Sequence, residues 1–419
     1  MTSNFGNFLS KIISFILVVL REFWWLIIPL ALFIYLKKLY KIYKGLVKKA
    51  DDDPLIFLEI KFSLDSFKQP VTSMKNFFEN LKNIKIKDDK KVIFEILCFK
   101  NQLRYICITP KSLRDLIEVA FYSQYTDIKI LEVADYLSAL PPNIPNNNFD
   151  IWGEEYKLKK ENIFKINVIH NDIVSDKDSK VIDPITILAE AADKTDYQGI
   201  AVVQIVLSQL TDPQKAAYKL ESDNVINKLL GKPVIEKKSL EKETWGLLKI
   251  MLLEMLQPGK EEKKEEKKEV PPEDKTKASD LQTKNDLGVF ACNFRVAYIA
   301  PKACIQKFVS PSIGMFVKQF TSSQNSFDSI SEKGIELKVE GLIPQLLASA
   351  SKPQIELSMK KDFFQRTINR KFEKKIMVLN SEELATIFHF PFQRISVQSV
   401  DFIKNKESAP PSNLPIILE

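Results

Sequence analysis

A basic and aromatic stretch near the C-terminus, residues 359–375, has a composition suited to gripping nucleic acid. Its sequence is MKKDFFQRTINRKFEKK, in which cations alternate with phenylalanines. Cations neutralise phosphates and aromatic rings stack on bases, so the pattern predicts a nucleic-acid contact. The alternative is a solvated helix face whose phenylalanines turn into the core. The candidate contacts are Lys360, Lys361, Arg366, Arg370 and Lys371.

Side chains for catalysis or metal binding are scarce. The chain has two histidines, His170 and His389, and four cysteines that lack a CxxC spacing. The chain has few residues that could form a zinc site or support a histidine-dependent mechanism. We expect the cysteines to be buried free thiols. The sequence also lacks the P-loop, GxGxxG, GxSxG and HExxH motifs. We therefore predict a protein that is not an enzyme, with no catalytic, cofactor-binding or metal-binding residue.

The N-terminal segment, residues 12–49, joins an apolar run to a basic end. The twenty residues from Leu17 to Leu36 are apolar apart from Arg21 and Glu22, and as a helix they would cover roughly 30 Å of bilayer core. Lysines cluster after the run, so the positive-inside rule predicts a single-pass protein of the cytoplasmic membrane with its N-terminus outside and its C-terminal domains in the cytoplasm. Two short membrane-embedded helices, at 8–20 and 23–36, or a first helix lying flat on the surface, are the alternatives.

Single residues of this segment have predicted roles at the membrane. Aromatic rings favour the interface, and proline is tolerated in a membrane helix. The predicted anchor residues are Trp24, Trp25, Pro29 and Tyr35. Lysines beside the apolar run would attract anionic lipid headgroups. The predicted headgroup contacts are Lys37, Lys38, Lys41 and Lys44.

The rest of the chain has a globular composition with polar inserts. Hydrophobic residues make up 45% and charged residues 27%, and the net charge of +7 suits nucleic acid and anionic lipid equally. We predict a membrane anchor and basic collar at 1–50, a first α+β unit at 51–150, and a second α+β unit at 151–419. A helical insert at 211–258 and a disordered charged linker at 259–285 interrupt the second unit.

Both predicted units have the element order of a ferredoxin-like, or split βαβ, layer. In the first, strands at 54–62, 92–99 and 102–109 combine with a helix at 71–84, a helix after Pro110, and a further strand near 128–133. In the second, we expect strand material at 156–168, a helix at 183–193, a buried strand at 197–210, and a strand leading through proline into a helix at 290–320. Ile108-Thr109-Pro110-Lys111 matches Ile299-Ala300-Pro301-Lys302 in type and context. A duplication would explain this match.

Two segments carry a resemblance to a known family. LNSEELATIFHFP at 379–391 with APPSNLP at 409–415, and LRYICITPKSLRDLIEVAFYSQYTDIKILEV at 103–133, resemble a membrane-anchored domain that precedes type IV secretion or conjugation-type coupling ATPases in small-genome uncultured bacteria. The resemblance spans about 55–415 and defines no active site. In that family a nucleotide-binding motor follows the NLP tail, whereas this sequence has no Walker motif.

The resemblance implies a scaffold or accessory component of a type IV secretion-like or conjugative DNA-transfer system. Such a component would tether a P-loop coupling ATPase encoded on a separate chain, and a homo-oligomer is implied by analogy. The implied partners are therefore the membrane, that ATPase and DNA. Two alternatives remain open: a membrane-bound enzyme with an unrecognised active site, and a stand-alone membrane-tethered DNA-binding protein.

Overall fold

A computed structural model provides the structure of the protein. It describes residues 53–62, 69–84, 90–100, 102–125, 127–169, 183–193, 199–232, 234, 271–305, 307–330, 342–373 and 376–391, together with 29, 32–33 and 35–39 in the N-terminal segment. Side chains are not described for 342–353 and 355. The chain divides into two compact units, 1–54 and 55–419.

The N-terminal unit contradicts the predicted transmembrane helix. Pro29, Leu32, Phe33 and residues 35–39 are helical and exposed, and the remainder of the apolar run lies outside the described residues. Across the part of the chain that the structure describes, no helix has both the length and the apolarity needed to cross a membrane. This finding also contradicts the predicted single-pass membrane location.

Among its described residues, the second unit has one antiparallel sheet of nine strands. Eight of them follow the spatial order β4-β1-β3-β2-β6-β7-β5-β8, and β9 pairs with β7. The strands are β1 Leu55–Phe62, β2 Val92–Phe99, β3 Gln102–Pro110, β4 Ile128–Val133, β5 Phe149–Leu158, β6 Ile200–Gln209, β7 Val289–Pro301, β8 Phe327–Ser329 and β9 Met377–Asn380. The fold is therefore α+β.

The helices connect these strands in chain order. They are α1 Pro70–Asn83, α2 Arg114–Tyr122, α3 Ile185–Asp193, α4 Asp212–Leu229, α5 Pro272–Asp286, α6 Val309–Lys318, α7 Leu342–Ile368 and α8 Ser381–Ile387. Helices α4 and α5 lie in sequence between β6 and β7. The segment after α6 returns through β8 to α7, β9 and α8.

The sheet has two halves with the same strand order. Outward from the central antiparallel β2–β6 pair, the order is β2-β3-β1-β4 on one side and β6-β7-β5-β8 on the other. Both β3 and β7 end at a proline with nearly the same backbone angles, φ −55° and ψ 140° at Pro110, and φ −56° and ψ 140° at Pro301. A 3₁₀ turn and then a helix follow each proline. The two halves share one sheet, which runs unbroken across the predicted boundary at residue 150.

One face of the sheet carries an apolar core. Period-2 alternation places Phe94, Ile96 and Cys98 of β2 on this face, and helix α1 covers it with residues such as Met74 and Phe78. Helix α8 and the residues after it are buried on the same side, where Phe388 lies 5.2 Å from Phe94 between ring centroids. Apolar burial on this face therefore joins the C-terminal segment to the first half.

Two predicted boundaries need correction. Residues 272–285, assigned to a disordered linker, belong to helix α5. Proline at the first helical position, acidic residues in the first turn and the buried Ala278 and Leu281 favour this helix despite its polar sequence. The strand expected at 156–168 is β5, Phe149–Leu158, so its first half lies earlier in the chain. The rest of the linker, 259–270, lies outside the described residues.

Candidate functional site

A row of polar side chains crosses the face of the sheet opposite the apolar core. The strand registers place Glu59, Ile106, Glu95, Gln204, Arg295 and Glu155 side by side, from β1 across β3, β2, β6 and β7 to β5. Glu95, Gln204, Arg295 and Glu155 are all buried. Buried polar groups require partners. The row supplies some of them itself, since Gln204 donates to Glu95 and Arg295 donates to Gln204 and Glu155. Others come from the C-terminal end of α7 and the residues that follow it, which lie over this row.

Two arginines at the end of α7 form ion pairs with the sheet side. Arg370 donates from Nε to Glu95 Oε1 at 3.1 Å, and from Nη1 and Nη2 to the two oxygens of Asp135 at 2.9 and 2.8 Å. Arg366 donates to Glu155 through Nη1. The two-pronged contact with Asp135 fixes the plane of the Arg370 guanidinium. We call these residues, together with Gln204, Arg295 and Lys91, the ionic clamp.

The clamp also satisfies the backbone carbonyls where α7 ends. Arg295 donates to the carbonyls of Arg366 and Lys371 at 3.1 and 2.7 Å, and Gln204 donates to that of Thr367 at 3.2 Å. Lys91 donates to the carbonyls of residues 369 and 370, and Arg370 to that of 368. A helix leaves its last carbonyls unpaired and carries a partial negative charge there. Arg295 and Lys91 on the sheet side therefore donate hydrogen bonds to the carbonyls at this helix end.

The residue at the end of α7 has an unusual backbone conformation. Arg370 has φ 48°, the left-handed region that favours glycine. Its amide donates to Thr367 O at 3.1 Å and the Lys371 amide to Arg366 O at 2.9 Å, the paired bonds of a Schellman motif. Glycine would suit this position in backbone terms. The ion pairs of the Arg370 side chain offset the conformational cost.

A glycine on β5 lets α7 approach the sheet closely. A Cβ atom at Gly153 would lie 2.2 Å from Phe363 Cε1 and 2.7 Å from the Val296 carbonyl oxygen. Both distances are below any normal contact. Phe363 and Phe364 pack into a second apolar cluster on this face, beside residues such as Ile151 and Ala297. Apolar contacts therefore surround the ionic clamp.

The clamp shifts the pKa values of its cations in different directions. Burial works against the charged Arg370, but Glu95 and Asp135 overcome it and raise its pKa above the ordinary value. Burial lowers the pKa of Arg295, and Glu155 opposes that effect. Burial, with repulsion from Arg295 and Arg370, lowers the pKa of Lys91 to about 8. Lys91 is therefore the clamp cation that titrates nearest neutral pH.

The predicted nucleic-acid residues divide between internal and external positions. Arg366 and Arg370 belong to the clamp, and the intervening Thr367 is also buried. Lys360 pairs with Asp150 at 2.9 Å. Lys361 and Lys371 are exposed, with Lys371 Nζ 3.5 Å from a Glu373 oxygen. Three of the five cations, Lys360, Lys361 and Lys371, are thus exposed, and the nucleic-acid contact stays a prediction.

Half of the predicted membrane residues lie beyond the described part of the chain. Trp24, Trp25, Lys41 and Lys44 lie outside the described residues, whereas Pro29, Tyr35, Lys37 and Lys38 are helical and exposed. The described residues of this group do not form a site.

Sequence reasoning missed the sheet side of the clamp. Glu95, Gln204 and Arg295 each stand near the middle of an otherwise apolar strand. A single charged or amide residue in a buried strand needs a partner. That signal could have identified them, although it could not have named α7 as the element that covers them.

The other titratable groups of the described core are enclosed. His389 Nε2 lies 3.1 Å from Asp183 Oδ1, and His389 Nδ1 lies 3.0 Å from the Ala385 carbonyl, with both side chains buried. Burial raises the pKa of the Cys98 thiol to about 12, which disfavours a reactive thiolate. Within the described residues, no group of three or more His, Cys, Asp and Glu could hold a metal ion. The arrangement is suited to fixing a helix.

No protein-family model matches this chain, and no curated protein matches it either.

Proposed function

We propose that this protein is a binding scaffold that presents helix α7 to a partner protein. The observation that carries the proposal is the contrast along α7. Its C-terminal end is fixed by the ionic clamp, whereas Gln354, Glu356, Leu357, Ser358, Lys360, Lys361 and Asp362 are all exposed. At 100° per residue these positions cover about two thirds of the helix circumference, and Lys360 pairs with Asp150 on β5. Most of the surface of this part of α7 is therefore accessible to a partner.

A helix that is fixed at one end and has exposed side chains along much of its length is suited to protein recognition. Helix-in-groove binding uses side chains on one face of a helix, and a fixed helix loses little orientational freedom on binding. Leu357 is 43% exposed and supplies an apolar contact on this stretch. The clamp sets the direction in which α7 leaves the sheet.

The resemblance supplies the identity of the proposed partner. We propose a separately encoded P-loop coupling ATPase of a type IV secretion-like or conjugative DNA-transfer system. The protein would help to assemble this ATPase and would carry out no bond chemistry. The resemblance is analogy at the level of family, so partner identity is the part that experiment must test.

Site-specific crosslinking tests the proposal. A photo-reactive amino acid at Leu357, in the full chain expressed with its neighbouring genes, should crosslink to a P-loop ATPase. The matched control places the same amino acid at Lys157, an exposed residue of β5, and should give no such product. Absence of an ATPase from the Leu357 product would overturn the proposal. Turnover by the purified chain would favour the enzyme alternative, and steeply salt-dependent DNA binding would favour the DNA-binding alternative.

A further inference from the structure

Helix α6 of the second half has apolar side chains on both of its faces. Val309, Ile313, Phe316 and Val317 are buried against the core. On the outer side, Phe308, Pro311 and Met315 are exposed at a spacing of three and four residues. Phe308 is 49% exposed and Met315 45%. A helix that is apolar all round is normally buried all round, so the outer stripe is suited to a partner.

The charged residues on α6 and in the turn before it are all basic. Residues 302–320 contain Lys302, Lys307 and Lys318 and no acidic residue, and all three lysines are exposed. Two lie before the stripe in sequence and Lys318 lies after it. The N-terminal end of α6, which has no side-chain cap, adds a partial positive charge.

The equivalent helix of the first half differs in its charges. Helix α2 also exposes apolar residues, namely Leu116, Val119 and Tyr122. It mixes them with both signs of charge, because Arg114 pairs with Glu118 on the same helix and with Glu132 on β4. Of these two helices, only α6, with the turn before it, has charged residues that are all basic.

We propose that the outer face of α6 is a docking site for an acidic amphipathic helix of a partner protein. Ile305, Phe308 and Met315 receive the apolar face of that helix, and Met315 supplies the adaptable contact typical of such surfaces. Glutamate or aspartate residues flanking the apolar face pair with Lys307 and Lys318. The neighbouring helix α3 exposes Glu190 and Asp193, so the acidic side chains of the partner lie toward the lysines. This site is separate from α7 and does not rest on the function proposed above.

A designed peptide pair tests this docking site. One helical peptide has leucines at i, i+3 and i+7 with glutamates on both flanks, and its control has lysine in place of every glutamate. Fluorescence anisotropy with the full chain should show binding of the acidic peptide that weakens as salt is added, and weaker binding of the basic one. Equal binding of both peptides, or no binding, would overturn the proposal.

Two variants locate the binding. F308S/M315S should weaken binding of the acidic peptide at least about tenfold, whereas the matched control L116S/V119S on α2 should leave it unchanged. K307E/K318E should reverse the preference between the two peptides. All of these residues are exposed, so a thermal melt should match that of the parent chain.

Other occupants of the stripe would give distinct results. If sedimentation shows a concentration-dependent dimer that F308S/M315S abolishes, a second copy covers the stripe and the proposal is wrong. Binding to vesicles of anionic lipid with no binding of the acidic peptide would likewise overturn it.

Discussion

The two faces of the sheet are stabilised by different physical interactions. On the face that α1 covers, aromatic side chains pack against one another, and Phe77 stacks on Phe121 at 4.0 Å and lies edge-on to Phe78 at 5.4 Å between centroids. On the opposite face, the ionic clamp binds the end of α7. Apolar burial is nearly non-directional, whereas a buried ion pair is favourable only in a narrow geometry. The aromatic core therefore stabilises the fold without selecting one geometry, whereas the clamp specifies where α7 lies.

The largest effect should come from removing one partner of the clamp. R370M leaves Glu95 and Asp135 without their arginine, and breaking a buried pair in this way costs about 3–5 kcal/mol. Urea unfolding measures the loss. Hydrogen exchange should show the amides at the end of α7 exchanging faster than the rest of the sheet.

Two further variants act as controls for that result. E95L/R370M removes the arginine together with its buried carboxylate partner and should recover part of the lost stability, because no charge then stays buried at residue 95 and the remaining partner, Asp135, is partly exposed. The recovery is incomplete because Gln204 and Tyr136 lose the acceptor oxygens of Glu95. R370G relieves the left-handed backbone and should be about 1 kcal/mol more stable than R370M. If R370M unfolds at the same urea concentration as the parent chain, the clamp contributes nothing and the comparison between the faces fails.

A cavity in the opposite face should destabilise the whole unit. Met74 is fully buried in the core beneath α1, and M74A should cost about 3 kcal/mol through lost burial and the cavity left behind. Urea unfolding again measures the change. The exchange pattern distinguishes the faces, since M74A should not selectively expose the end of α7. Selective exposure there would mean that the two faces are coupled.

One methyl group added at Gly153 should push α7 away from the sheet. G153A places a Cβ in contact with Phe363 and with a backbone oxygen, so we expect a loss of about 2 kcal/mol from overpacking. G153A/F363L gives the added methyl more room and should recover part of the loss. A G153A chain as stable as the parent would show that α7 can shift without cost.

The smallest effect should appear as a pH dependence. The pKa of Lys91 is about 8 in the folded protein and close to 10.4 in an unfolded chain. Between these values the unfolded chain binds more protons, so stability rises with pH. For this partly exposed lysine we expect about 1 kcal/mol between roughly pH 8 and 10.5. K91M should lack this rise, because the other titrating groups are common to both chains. Parallel pH profiles would contradict the assignment.

Much of the first half was predictable from sequence because its signals are local. Alternating apolar residues predicted β1, and the helical spacing of Met74, Phe77, Phe78 and Leu81 predicted α1, where all four are buried. A capping box begins α8, where the side chains and amides of Asn380 and Glu383 are bonded reciprocally at 2.8 and 2.9 Å. The buried Cys98, Cys107 and Cys292 are confirmed as free.

The predicted transmembrane helix was wrong because it rested on local composition alone. Hydropathy and charge describe the composition of a segment, whereas spanning a bilayer also requires a continuous helix of sufficient length. Across the described residues that condition is not met. Local composition alone was also misleading at α5, where a polar segment forms a helix through the contacts of Ala278 and Leu281.

The sequence by itself determined the element types of the first half, the proline-to-helix turns after β3 and β7, and the presence of isolated polar residues in buried strands. Only the tertiary structure decided that Arg366 and Arg370 face inward. Their partners Glu155 and Glu95 are 211 and 275 residues away in the chain. The sequence of a basic stretch does not indicate which carboxylates its cations pair with. Strand register places those carboxylates in one row, and register is set by pairing across the whole sheet.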